Sequence, residues 1–182
     1  EEECQAEGNV YDDGNCQQLP DTGGEGGEGS TAVDANGNLT TSAAEFSGGW
    51  TNTGTYATSV EISKDGGNVD AVQVIRFDPA HVGQEVDIIL ILAVQLPPTF
   101  GSIYWYVVDT TGIVGPTLTL DIAGIEALET HTVVADEPKV MGLYEFEDLA
   151  LGIVADFMFY FGYRTDDATI YFSGEPITLK VR

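Results

Sequence analysis

The sequence predicts an all-β protein: an antiparallel β-sandwich, Ig-like or jelly-roll-like, of about nine strands, with an extended N-terminal arm. Three observations carry this. Short apolar or alternating segments recur between turns rich in Gly, Pro, Asp and Asn. Helical periodicity is almost absent, Gly124 to Glu129 being the one stretch that suits a helical turn. Composition also breaks sharply. No Lys or Arg occurs before Lys64, and residues 1–63 hold 12 of the 30 acidic residues, both cysteines and 11 of the 22 glycines.

The arm, residues 1–46, divides into three parts. Cys4 and Cys16 enclose a short loop with two glycines, and in an oxidising compartment they are expected to form a disulfide. Such a closure stabilises by roughly 3 kcal/mol where it is free of strain. The stretch DTGGEGGEGS, residues 21–30, has no periodicity and reads as a tether. Extended, it reaches roughly 30 Å. Ala32, Val33, Leu39, Ala43, Ala44 and Phe46 then supply one or two short strands, with turn signals at Asp34 to Asn38 and at Gly48–Gly49.

The β-sandwich domain is expected over residues 47–182. Tyr56 to Ser63 reads as a strand closed by the turn KDGGN. Val69 to Phe77 alternates, and Asp78–Pro79 breaks it. Val86 to Leu96 is apolar on both faces, the pattern of a central buried strand. Ile103 to Val108, Thr117 to Ile122, Thr132 to Ala135, Lys139 to Phe146 and Ile153 to Tyr163 follow, and Phe157, Phe159, Phe161 and Tyr163 share one face at period two. Thr169 to Phe172 and Ile177 to Val181 end the chain around the turn SGEP.

The segments FDPAHVGQEVDIILILAVQLPP and FGYRTDDATIYFSGEPITLKV resemble an uncharacterised family of secreted β-sandwich domains from sulfur-oxidising gammaproteobacteria. The resemblance covers about residues 46–182 and implies the fold, export and a cell-surface role, with no catalytic residues. Members of that family carry a Gly in a turn like DDGT, where this chain has Asp167-Ala168-Thr169.

Charge limits the function classes. With 30 acids against 6 bases the formal net charge is −24, which disfavours nucleic acid and anionic lipid and favours divalent cations or basic partners. The longest apolar run, Ile88 to Val94, is strand-length, so membrane insertion is not expected. A chain opening on Glu1 reads as a mature, secreted form. Among candidate sites, Asp34, Asn36 and Asn38 place oxygen ligands at alternate positions around Gly37, and Asp12 and Asp13 make a second oxygen-rich turn; both suit Ca²⁺. Leu19-Pro20-Asp21-Thr22-Gly23 spells LPxTG but lacks the apolar segment and basic tail of a sorting signal. The two histidines, His81 and His131, stand far apart, and no nucleophile, metalloprotease or phosphate-loop pattern occurs, so no enzymatic activity is expected. The expected function is a structural subunit of an extracellular filament, pilus or sheath, whose arm adds a strand to another copy. The alternative is a monomeric secreted module binding carbohydrate or calcium through an exposed subset of its aromatics, from Trp50, Tyr104 to Tyr106 and Phe157 to Tyr163, or through acidic turns.

Overall fold

The computed structural model describes residues 10–12, 15–22, 30–97, 102–117 and 124–182. Its strands are β1 (Val10–Asp12), β2 (Asn15–Gln17), β3 (Ser30–Val33), β4 (Leu39–Ser42), β5 (Glu45–Thr51), β6 (Ser59–Ile62), β7 (Val69–Arg76) and β8 (Glu85–Gln95). They continue with β9 (Ile103–Asp109), β10 (Gly112–Thr117), β11 (Glu129–Thr132), β12 (Lys139–Phe146), β13 (Ala155–Arg164), β14 (Ile170–Phe172) and β15 (Ile177–Val181). The fold is all-β and consistent with a sandwich, as the alternation predicts.

β8 and β13 form the spine. They pair antiparallel from Asp156↔Gln95 to Arg164↔Asp87. The large sheet runs β10-β9-β8-β13-β14-β3-β4, with β11 on β8 and β15 on β13. The small sheet is β12-β7-β5, and β1 and β2 form a separate hairpin. One pairing departs from the antiparallel expectation: β15 runs parallel to β6, from Thr178↔Ser59 to Val181↔Ile62.

The core lies between the two sheets, because the period-two faces of β8 and β13 point to the same side. Ile88, Leu90, Phe161 and Tyr163 meet Phe46, Ile75 and Met141 there. Toward the other end, Trp50, Val69 and Ala71 meet Ile177, Leu179 and Val181. The phenylalanine stripe of β13 therefore faces inward, with the Phe46 and Phe161 rings 5.8 Å apart and edge-on.

Two expectations are corrected. Gly124 to Glu129 forms no helix: Ile125 is buried, the Leu128 amide bonds to Ile88 O at 2.8 Å, and Glu129 already begins β11. Tertiary contacts outweigh a weak local preference there. Among the described residues the only helical turn is the 3₁₀ segment Pro79–His81, capped by Asp78 Oδ1 accepting from the Ala80 amide at 2.9 Å. The division expected between residues 46 and 47 runs through β5, whose Phe46 is 1% exposed. The latter part of the arm thus belongs to the sandwich. The strand expected over Thr117 to Ile122 lies outside the described residues beyond Thr117, which ends β10.

Candidate functional site

The arm docks on its own chain at three places. At the first, Leu19 packs with Tyr56, Val72 and Val74 on the outer face of the small sheet. At the second, Gln18 to Thr22 runs along the open edge of β5. The Thr22 amide bonds to Phe46 O, and the Gly48 amide to Pro20 O, each at 2.9 Å. The Glu175 amide closes the other side on Thr22 O at 3.0 Å. The residues that spell LPxTG thus include a buried anchor and an edge cover. At the third, β3 adds to β14 through Ile170↔Val33, Tyr171↔Ala32 and Phe172↔Thr31, and β4 follows as the outermost strand.

Each expected assembly residue has a place in this seam. Ala32, Ala44 and Phe46 are buried, Val33 is half-buried, Ala43 is exposed, and Leu39 is 74% exposed at the sheet margin. Beneath β4, Asp78 Oδ2 accepts from the Ser42 hydroxyl at 2.8 Å and the Ala43 amide at 2.9 Å. Burial raises the Asp78 pKa, but these bonds and that of the Ala80 amide outweigh it, so the carboxyl sits below its ordinary value. The Tyr163 hydroxyl accepts from the Asp78 amide at 3.2 Å and lies 3.0 Å from His81 Nδ1. Burial pushes the Tyr163 pKa far up, so the phenol stays neutral and serves as a hydrogen-bonding strut.

The turn between β3 and β4 uses its oxygens internally. Asp34 Oδ1 accepts from the Asn36 and Asn38 amides, and Oδ2 from Asn38 Nδ2, each at 2.8 Å. Bonds from Asn38 hold the Asp34 carboxyl below its usual range. This is an Asx-type turn whose carboxylate already has three donors. Among the described residues no group of three or more His, Cys, Asp or Glu is placed to hold a metal ion. Asp12 lies in β1, and Asp13 lies outside the described residues. Cys16, in β2, is disulfide-bonded; Cys4, its expected partner, lies outside the described residues.

The outer face of the large sheet carries a second apolar surface that sequence reasoning missed. A cleft of about 230 Å³ is walled by Ile89, Ile91, Trp105, Tyr160, Ile170 and Phe172, with the Trp105 and Tyr160 rings 6.1 Å apart. Val33 of the arm contributes to the wall. Ile125 lies against Ile89 and Ile170, and Arg164 holds its carbonyl at 2.9 Å while pairing with Asp87 at 2.7 Å. Arg164 thereby fixes the covering segment from the side. The signal was present in Val86 to Leu96. A strand apolar on both faces reads as covered on both, whereas Ile89 and Ile91 face this partly open surface.

A scan against protein-family models finds no match, and a search of the curated proteins finds none. The resemblance noted over residues 46–182 has no counterpart in either comparison.

Proposed function

We propose that the protein is a structural subunit of an extracellular filament, pilus or sheath, in which the β3–β4 hairpin of one copy fills the seat on β14 of the next. The observation that carries this reading is the nature of the seat. β3 is held by a three-residue register on β14, a strand from the far end of the chain. Residues 23–29, which join β3 to the anchor at Thr22, are only Gly and Glu. A strand exchanged between identical copies makes the same backbone bonds in trans as in cis, so exchange costs little and repeats from copy to copy. A disulfide-bonded Cys16 and a charge of −24 suit secretion, and the charge opposes contact between the acidic surfaces of separate copies. Divalent cations then act as diffuse counter-ions of the assembled surface, a role that does not require the Asp34 turn to open. The alternative, a monomeric sugar-binding module, fits less well: the cleft beside Trp105 is walled almost wholly by carbon and offers hydroxyls few partners.

Truncation at residue 46 would also remove Phe46 from the core, so a cross-link in the full chain is the cleaner test. Thr31→Cys with Phe172→Cys places two thiols at a directly paired position of β3 and β14. Oxidised after assembly, this variant is expected to run as a covalent ladder on a non-reducing gel. A single monomer band with complete cross-linking would refute exchange.

A further inference from the structure

We infer that the outer face of β8, β9 and β10 is a self-association surface that packs against the same face of a second copy. Between Ile88 and Leu120 the sequence contains a single charged residue, Asp109, in a chain that carries 36. That carboxylate is turned into its own hairpin. Asp109 Oδ1 accepts from the Thr111 hydroxyl at 2.6 Å, the Thr111 amide at 2.7 Å and the Gly112 amide at 3.1 Å, and the residue is 7% exposed. β9 and β10 thus bring no second charged side chain to this face, and the exposed Glu126 reaches the Asp109 carboxyl only at the hairpin end.

It is also apolar and open. Val114 is 53% exposed and Ile103 38%. Val114 lies opposite Val107, and Val107 opposite Ile91, so one side-chain row runs from the sheet margin to the cleft at Trp105 and Tyr160. Ile103, Trp105 and Val107 recur at every second position of β9 and so share that face. Such a contiguous patch on a chain of this charge calls for a partner.

Charge selects which partner. Each copy carries a net charge of −24, and a contact that faces the neutral stretch with an acidic surface gains nothing. The pairing that keeps like charges farthest apart sets the neutral face against itself, which is an isologous, two-fold contact. Pro116 lacks an amide hydrogen and the β9–β10 register shifts between Val114 and Thr117, so the contact forms through side chains and not by extending the sheet. This contact is independent of the exchanged hairpin.

The test is sedimentation velocity on the full chain from about 1 to 500 μM, a range chosen for an interface of modest area. The wild-type protein is expected to shift from monomer to dimer with concentration. The shift is expected to grow at least about threefold between roughly 20 and 500 mM NaCl, because salt screens the repulsion that opposes it. Ile103→Lys with Val114→Lys sets like charges across the two-fold axis and is expected to weaken dimerisation at least about tenfold. Both side chains are exposed, so the variant should keep the wild-type circular dichroism and melting temperature. Ile113, 64% exposed, pairs with Val108 and so points to the opposite side of the sheet; Ile113→Lys should still dimerise. A wild-type monomer at every concentration, a dimer unaffected by the double substitution, or association that weakens with salt would each overturn the inference. So would flotation of monomers with phosphatidylcholine vesicles that depends on Ile103 and Val114, which would assign the face to lipid. The disulfide ladder of the Thr31→Cys, Phe172→Cys variant reports only on the exchanged hairpin, so the two readings fail separately.

Discussion

Replacing Gly162 by alanine asks whether the seat of the arm depends on close backbone contact. Gly162 lies in β13, between Ile89 of β8 and Phe172 of β14. A Cβ built there meets the carbonyl oxygen of Tyr171, and comes within 2.8 Å of the Phe172 Cα and 3.0 Å of its Cβ. The first two atoms are backbone, so no rotamer change relieves the overlap, and β14 must move away. That movement strains Gly162↔Phe172, Tyr163↔Tyr171 and Arg164↔Ile170, and it carries β3 and β4 with it. Overpacking alone costs about 1–3 kcal/mol. Full release of β14 would lose two or three net hydrogen bonds at about 1 kcal/mol each and burial of Ile170 at about 2 kcal/mol. The expected loss therefore lies between about 1 kcal/mol, where β14 gives way a little, and about 5 kcal/mol, where β14 is released, read as a lower urea midpoint by circular dichroism. Hydrogen exchange should speed up first in β14 and β3. The sign is decisive. Without the close approach, Gly→Ala in a strand stabilises by about 0.4–1 kcal/mol through the unfolded chain. A Gly162→Ala midpoint equal to or above wild type would refute the reasoning.

Two further substitutions probe the same end of the molecule. Ala168 has φ 63°, a left-handed conformation, in the turn where Thr165 N–H bonds to Thr169 O at 3.0 Å; Ala168→Gly relieves that strain and should raise stability by about 0.5–1 kcal/mol in urea unfolding, and a fall would refute it. Asp78→Asn keeps one acceptor but loses the charge that holds Ser42 and Ala43, and should cost about 1–2 kcal/mol at neutral pH. Because the folded Asp78 pKa is depressed, its contribution is complete above the unfolded value of 3.8 and fades as pH falls through the lower folded value. The difference between wild type and Asp78→Asn should therefore shrink in acid melts below about pH 4; a constant difference would show that the bonds do not depend on the charge.

Much of the fold was legible in the sequence because its signals are local. Lys139–Phe146 and Ile177–Val181 fall where alternation and turn residues put them, and Glu85–Gln95 lies one residue from its expected bounds. Alternation reports which side chains share a face, and Gly, Pro and Asp report where the backbone reverses; neither requires knowledge of the partner strand. The left-handed conformation of Ala168 was not readable in this way, because alanine carries no local signal for positive φ.

Partners were not legible, and they are what the tertiary structure decided. Nothing in Thr31-Ala32-Val33 names β14 as its neighbour, and nothing in Ser59–Ile62 announces a parallel pairing with β15. Backbone hydrogen bonds are the same for every sequence, so pairing is set by which apolar faces can be buried together at long range. Composition sets residues 1–46 apart, yet Leu19, Ala32, Ala44 and Phe46 are enough to bind its latter part into both sheets. Likewise the two-sided apolarity of β8 required two covered faces. Only the fold shows that one is the core between the sheets and the other a partly open surface running to Val114.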